Sequence, residues 1–172
     1  MKKLLCVFLV FSFNFCPNTK FDYSGQDLSR KDFTGNNYTG SNFKGTNLNN
    51  SILSKVKFNK VDLTDANLSH AVFNNADMRE CIFKNTDLFG ADFTGANLNT
   101  CDLSGLNLGN INFSGADLRN VKFKNSDLTG AVFSGADISG ADFTGAVVNI
   151  DDLYNSKLMN KTILPYGTVY KK

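Results

Sequence analysis

The chain predicts an all-β fold, a parallel β-helix of about seven coils, each built from four five-residue segments. Three observations predict it. From Phe21 to Pro165 the sequence divides into 29 pentapeptides without a break, and the middle residue of each is apolar or aromatic. Glycine or asparagine follows that centre by two places in 20 of the 29. The identity of the centres recurs every 20 residues. Repeats of this kind are the mark of solenoids, in which each unit buries its apolar face only against its neighbours.

The period of five excludes the ordinary elements. On an α-helix five residues advance the chain by about 140° beyond a full turn, so the centres would scatter around the cylinder. On a flat strand side chains alternate, so an odd spacing sends successive centres to opposite faces. A chain that bends once per repeat sends every centre to a common axis. The bend is placed by the residue two after the centre. Twelve of the 14 glycines stand there, among them Gly35, Gly90 and Gly145. Glycine and asparagine accept the positive φ of a tight corner. One place before the centre, Asp or Asn occupies 20 of the 29 repeats, a residue type that caps local backbone groups. Two places before it the residue is small, as at Ala66, Ala91, Ala116 and Ala141.

Four segments per coil follow from the tracks of centres. Leu28, Leu48, Leu68, Leu88, Leu108 and Leu128 form one. Phe33, Phe73, Phe93, Phe113 and Phe133 form a second, with Leu53, and Phe43, Phe83, Phe123 and Phe143 a third, with Leu63 and Leu103. Leu98 and Leu118 belong to the fourth. These residues are the expected core ladder. At roughly 4.8 Å per coil the rod would be on the order of 35 Å long.

The segments ADFTG (91–95), ANLNT (96–100), ADLRN (116–120), ADISG (136–140) and ADFTG (141–145) carry the pattern A(D/N)Lxx. That pattern resembles the pentapeptide-repeat family over about 145 of the 172 residues. The resemblance implies a right-handed, quadrilateral β-helix. Several segments, such as SILSK (51–55) and VKFKN (121–125), lack Asp or Asn before the centre but keep the register. Changed surface chemistry is expected there, with the coils intact.

Three regions are expected: residues 1–20, the repeat domain over 21–165, and a tail over 166–172. In the first, Lys2 and Lys3 precede an apolar run from Leu4 to Cys16. This is the layout of a signal peptide, and it places the protein in the periplasm or outside the cell. The run is too short for a bilayer core of roughly 30 Å. No A-x-A cleavage site is present and Pro17 follows Cys16, so an uncleaved apolar segment capping the first coil, in a cytoplasmic protein, is the alternative. At the other end the pattern is lost from Leu158 to Tyr170, a stretch expected to close the open strand edges.

Catalytic and metal-binding motifs are sparse. His70 is the one histidine and falls at a corner, whereas a metal needs convergent ligands. The glycines follow the corners instead of a phosphate-binding spacing. Thirteen of the 15 aspartates stand one before a centre, where capping explains them. The expectation is a non-enzymatic structural or interaction rod, without cofactor, metal or small-molecule substrate. Cys81 and Cys101, 20 apart, should stack on adjacent coils as side-by-side thiols, with a disulfide between them as the alternative, since about 4.8 Å falls within the disulfide range.

Charge offers the one candidate binding feature. With four segments per coil, Lys44, Lys57, Lys60, Arg79, Lys84, Arg119, Lys122 and Lys124 fall on two adjoining sides. The other two sides are expected to carry Asp27, Asp32, Asp65, Asp87, Asp92 and Asp127. The basic stripe suits another protein or an anionic surface; the alternative is a solvated face. Ile52, Val72 and Val132 share an outward column, and Ile82 and Phe89 also point out. The family resemblance adds a second function, since some members mimic DNA and act on gyrase in the cytoplasm. The formal net charge of +2 and the basic stripe argue against a nucleic-acid-like surface.

Overall fold

In the computed structural model, residues 20–157 and 159–170 are described; the apolar leader, with Cys6 and Cys16, and the centre Leu158 lie outside them. The chain runs as short extended pieces joined by corners. From Asp22 to Val147 each extended piece contributes one bridging residue, and the bridges among these join residues 20 places apart in parallel. Four columns of bridges result. The first runs through Asp22, Asn42, Asp62, Ile82, Asp102, Lys122 and Asp142. The second contains Asp27, Asn47, Asn67 and Asp87, then resumes at Asn107, Asp127 and Val147. The third holds Asp32, Ile52, Val72, Asp92, Asn112 and Val132, the fourth Asn37, Lys57, Asp77, Asn97, Asp117 and Asp137.

Backbone chemistry explains the repeat. The N–H of a centre donates to the next coil, as Phe93 does to the Asn112 carbonyl at 2.7 Å. The preceding N–H donates to the coil before, as Asn112 does to Ala91 at 3.0 Å. At each corner the first residue of the next segment donates back to the centre, as Ala96 does to Phe93 at 2.9 Å. Side chains complete the wall: Asp or Asn before the centre accepts from the N–H two residues on, as Asp92 does from Thr94 at 3.0 Å. Buried backbone groups are thereby paired with no conventional strand or helix needed.

The corners are left-handed throughout. Glycine takes this conformation without a Cβ penalty, but Arg30, Lys55, Lys60, Asp65, His70, Glu80 and Thr100 also adopt it, with φ between 57° and 65°. An L-residue there costs about 1–2 kcal/mol. Bonds on both sides of the corner enforce it.

The centres from Tyr23 to Phe143 are all buried, including Leu28, Phe33, Leu48, Leu68, Phe73, Leu88, Phe93, Leu98, Leu108, Phe113, Leu118, Phe123, Leu128, Phe133 and Phe143. Rings stack along the axis: Phe73 on Phe93 at 4.8 Å, Phe93 on Phe113 at 5.7 Å, Phe123 on Phe143 at 4.8 Å. Between tracks they meet edge to face, as Phe113 does Phe123 at 5.7 Å.

The last coil departs from the period. Helix Ile150–Tyr154 replaces a pentapeptide, capped by Asn149, whose side chain accepts from the Asp151 N–H. Lys157 still donates to Ala136 in the regular register, but Ile163 donates to Ala141 one residue late. The unbroken count of pentapeptides to Pro165 therefore does not describe the structure. Ile163 is a bridging residue, paired with Asp142, and Leu164 takes the core-side place. The buried Thr162 hydroxyl secures this shifted register by donating to the Ile138 carbonyl at 2.7 Å. Val169 then pairs antiparallel with Ile163, so a hairpin covers the terminal edge of the first column.

Candidate interaction surface

Outward side chains arise one or two places after a buried centre or just before it, so each recurs at one-coil spacing. This places the eight basic candidates along the first and fourth columns. Lys122 is in the first column and Lys57 in the fourth. Lys44, Lys84 and Lys124 follow first-column centres by one residue, and Arg79 and Arg119 follow fourth-column centres similarly. Lys60 turns the fourth-column corner with φ 60°.

Six of the eight are joined to carboxylates. Arg79 grips Asp77 with two bonds, Nε to Oδ1 at 2.8 Å and Nη2 to Oδ2 at 2.7 Å. Arg119 repeats the fork on Asp117 at 2.8 and 2.6 Å and lies 3.9 Å from Asp137. Lys44 meets Asp62 and Lys124 meets Asp142, each at 3.1 Å. Lys60 reaches Glu80 at 3.7 Å and Lys122 reaches Asp102 at 3.6 Å. Lys57 and Lys84 form no ion pair among the described residues. The surface is therefore a lattice of alternating signs with two uncommitted lysines, and these exposed pairs add little stability. The offsets that bring acid to base were present in the sequence, but only the coil makes residues about one turn apart neighbours.

The forks shift the acids they hold. The hydrogen bond from Arg79 comes first in keeping the Asp77 carboxyl below its ordinary value, and Arg119 does the same for Asp117. Asp27, Asp32 and Asp127 are lowered by the capped Ser and Thr residues that follow them.

The other two sides, whose basic residues are Arg30, Lys31 and Lys55, need one correction. Asp65 sits at the corner that ends segment 61–65, on the side of Asp62, because the residue two after a centre precedes the bend. Asn85 of the next coil donates to its carboxylate at 3.0 Å. Ile52, Ile82, Phe89 and Val132 are exposed, and Ile52 bridges Val72 on the adjacent coil. Phe89 stands edge-on to His70 at 5.7 Å.

Cys81 and Cys101 are free, buried thiols. Each donates along the axis to a backbone carbonyl, Cys81 to Phe58 at 2.9 Å and Cys101 to Met78 at 3.2 Å. Burial pushes the Cys101 thiol up to about 12 and Cys81 well above its usual value. Both are therefore protonated and poor nucleophiles. Among the described residues no cluster of His, Cys, Asp or Glu could hold a metal ion, and no helix is long and apolar enough to cross a membrane.

Comparison with known proteins gives one family. The family model described as pentapeptide repeats matches in eight copies over residues 27–65, 66–105 and 111–148, leaving out 106–110. No curated protein is similar enough to count as a match. Among solved structures, full-length QnrB1, a plasmid-mediated fluoroquinolone resistance protein, is 19% identical, with 82% of this chain and 92% of that one covered and a TM-score of 0.35. HetL, a pentapeptide repeat protein involved in heterocyst differentiation regulation in the cyanobacterium Nostoc sp., is 19% identical, with 96% and 98% covered and a TM-score of 0.29. Rfr23 from the cyanobacterium Cyanothece is 21% identical, with 87% and 91% covered and a TM-score of 0.29.

Proposed function

This chain belongs to the pentapeptide-repeat family, and we propose that it is a non-enzymatic interaction rod, exported from a bacterial cytoplasm. In this reading the rod is a right-handed, four-sided column of about seven coils. Its charged sides dock another protein or an anionic surface. The observation that carries the reading is the fate of the polar side chains. The acids before the centres are committed to caps and ion pairs in the wall, as at Asp77 with Arg79 and Asp117 with Arg119. What faces outward is a fixed lattice of rows one coil apart, suited to reading an extended partner by pattern. Lys57 and Lys84 are the uncommitted charges within it, and paired lysines such as Lys122 can exchange one carboxylate for another at little cost. Export rests on Lys2, Lys3 and the apolar run that follows.

Affinity capture from the native compartment tests the docking. The Lys84→Glu, Lys122→Glu, Lys124→Glu variant should lose the partner, and capture by the unaltered chain should weaken as salt rises. Retention by the variant, with an unchanged melting curve, would reject the stripe as the contact. Fractionation tests export: full-length protein in the cytosol overturns it. A DNA supercoiling assay with gyrase should show no effect. Inhibition there, joined to cytosolic residence, would replace this reading with that of a DNA mimic.

A further inference from the structure

The hydrogen-bonded wall is interrupted at one interior junction. Below it, Leu63 donates to Ile82 and Leu68 to Asp87; above it, Leu103 donates to Lys122 and Leu108 to Asp127. Between segments 81–90 and 101–110 five of the matching bonds do not form among the described residues, while Gly90 still donates to Gly109 at 2.9 Å and the other two sides keep theirs, as Phe93 to Asn112 and Leu98 to Asp117. Phe83 does not reach Asp102, Asn85 does not reach Ser104, and Leu88 does not reach Asn107. The return bonds from Asp102 to Cys81 and from Asn107 to Thr86 fail as well. Ile82 and Asp102 remain bridged, so the contacts around them are weakened, whereas Asp87 and Asn107 are no longer bridged. A cavity of about 450 Å³ opens at the same place, lined by Cys81, Phe83, Lys84, Asp102 and Leu106.

Leu106 is the wedge. Its column otherwise holds Gln26 in the first coil, then the smaller Thr46, Ala66, Thr86, Ser126 and Ala146. Thr46 and Thr86 fold inward and donate to the carbonyls of Tyr23 and Leu63 at 2.9 and 2.8 Å. Leucine has no donor for the equivalent carbonyl of Phe83, and its γ-branched end does not fold into a slot of the kind that the β-branched Ile111 fills in the next segment. It stays only partly buried, and its own corner bond to Leu103 is lost. An overfilled site in a packed wall moves the backbone. The segment left out by the family match, 106–110, is the one that begins with it.

We infer that this junction is a built-in breakpoint, dividing the rod into two blocks that hinge open along the first and second columns and so expose Cys81 and Cys101 transiently. In a solenoid, stability is a sum over neighbouring interfaces, so the least bonded interface is where sub-global opening occurs. Native-state hydrogen exchange on the full chain tests it. The amides of Phe83, Asn85, Leu88, Asp102 and Asn107 should exchange at least about tenfold faster than those of Leu63, Leu68, Leu103 and Leu108. Leu106→Thr restores the hydroxyl that Thr46 and Thr86 supply and should slow the five amides to their neighbours' rates. Alkylation by iodoacetamide, in which the sulfur displaces iodide and its proton goes to solvent, should reach both Cys81 and Cys101 in the folded chain, and Leu106→Thr should slow it at both. Equal protection across all junctions overturns the inference. If Leu106→Thr leaves both exchange and alkylation unchanged in a folded protein, Leu106 is not the wedge.

Discussion

Replacing Phe93 with alanine tests the stacked axis most directly. The ring is fully buried, lying nearly parallel to Phe73 at 4.8 Å and 5°, and over Phe113 at 5.7 Å and 28°. Truncating a buried phenylalanine costs about 3–5 kcal/mol. Loss of two ring contacts, each worth about 0.5–1.5 kcal/mol, puts Phe93→Ala at the upper end, about 5 kcal/mol. For a chain of this size each kcal/mol lowers Tm by about 2–4 °C, so the drop should be about 10–20 °C. Phe33→Ala is the internal comparison. Phe33 keeps one aromatic neighbour, Tyr38 at 6.0 Å, and lies in the first described coil with 7% of its surface exposed. It should cost about half as much, since an end coil interacts on fewer sides. Phe93→Leu should cost only about 1–2 kcal/mol, because Leu53 fills the same track. Urea unfolding followed by circular dichroism measures all three. A Phe93→Ala cost below about 1 kcal/mol, or equal costs for Phe33 and Phe93, would refute nearest-neighbour stacking as the source of stability.

Three further outcomes follow from local geometry. Gly145→Ala should destabilise by at least about 1 kcal/mol, since φ is +71° and a Cβ would run into the Asn125 amide oxygen; Gly105→Asn, at φ +70° with open space, should be nearly neutral in the same melts. The lowered carboxyls of Asp77 and Asp117 stabilise the fold above their ordinary value of 3.8, and protonation removes that contribution as pH falls through the folded values. Tm should therefore hold near neutrality and fall below about pH 4, and the double variant Arg79→Gln, Arg119→Gln should fall less steeply; an unaltered acid limb would dismiss the forks. Titration with a thiol reagent after denaturation without reductant should find both Cys81 and Cys101 reactive, whereas a missing pair would mean a bridge.

Much of the coil is readable before any coordinates. Phe93 and Leu98 turn inward because their neighbours repeat at five, and Gly145 marks a corner because an L-residue resists its φ. The positions that escaped are those where identity and period disagree. Ile163 keeps the spacing of a centre, yet helix Ile150–Tyr154 and the following loop absorb one more residue and leave it on the wall. Leu106 keeps the period and looks harmless as an apolar residue, but its γ-branched side chain stays only partly buried where Ile111 is fully buried in the next segment. The basic stripe is visible as composition along two sides. Its pairing is not, because Arg79 with Asp77 depends on rotamers and Lys122 with Asp102 depends on which coil lies above.

What the linear chain dictates here is a bending period, a dry axis and a family, because local steric preference and apolar spacing repeat almost without exception. The shifted last coil, the neutralised charge lattice and the open junction beside Leu106 were set by contacts between segments about 20 residues apart. Such contacts depend on how volumes and hydrogen-bond donors from separate coils meet, and a repeat pattern carries no record of that meeting.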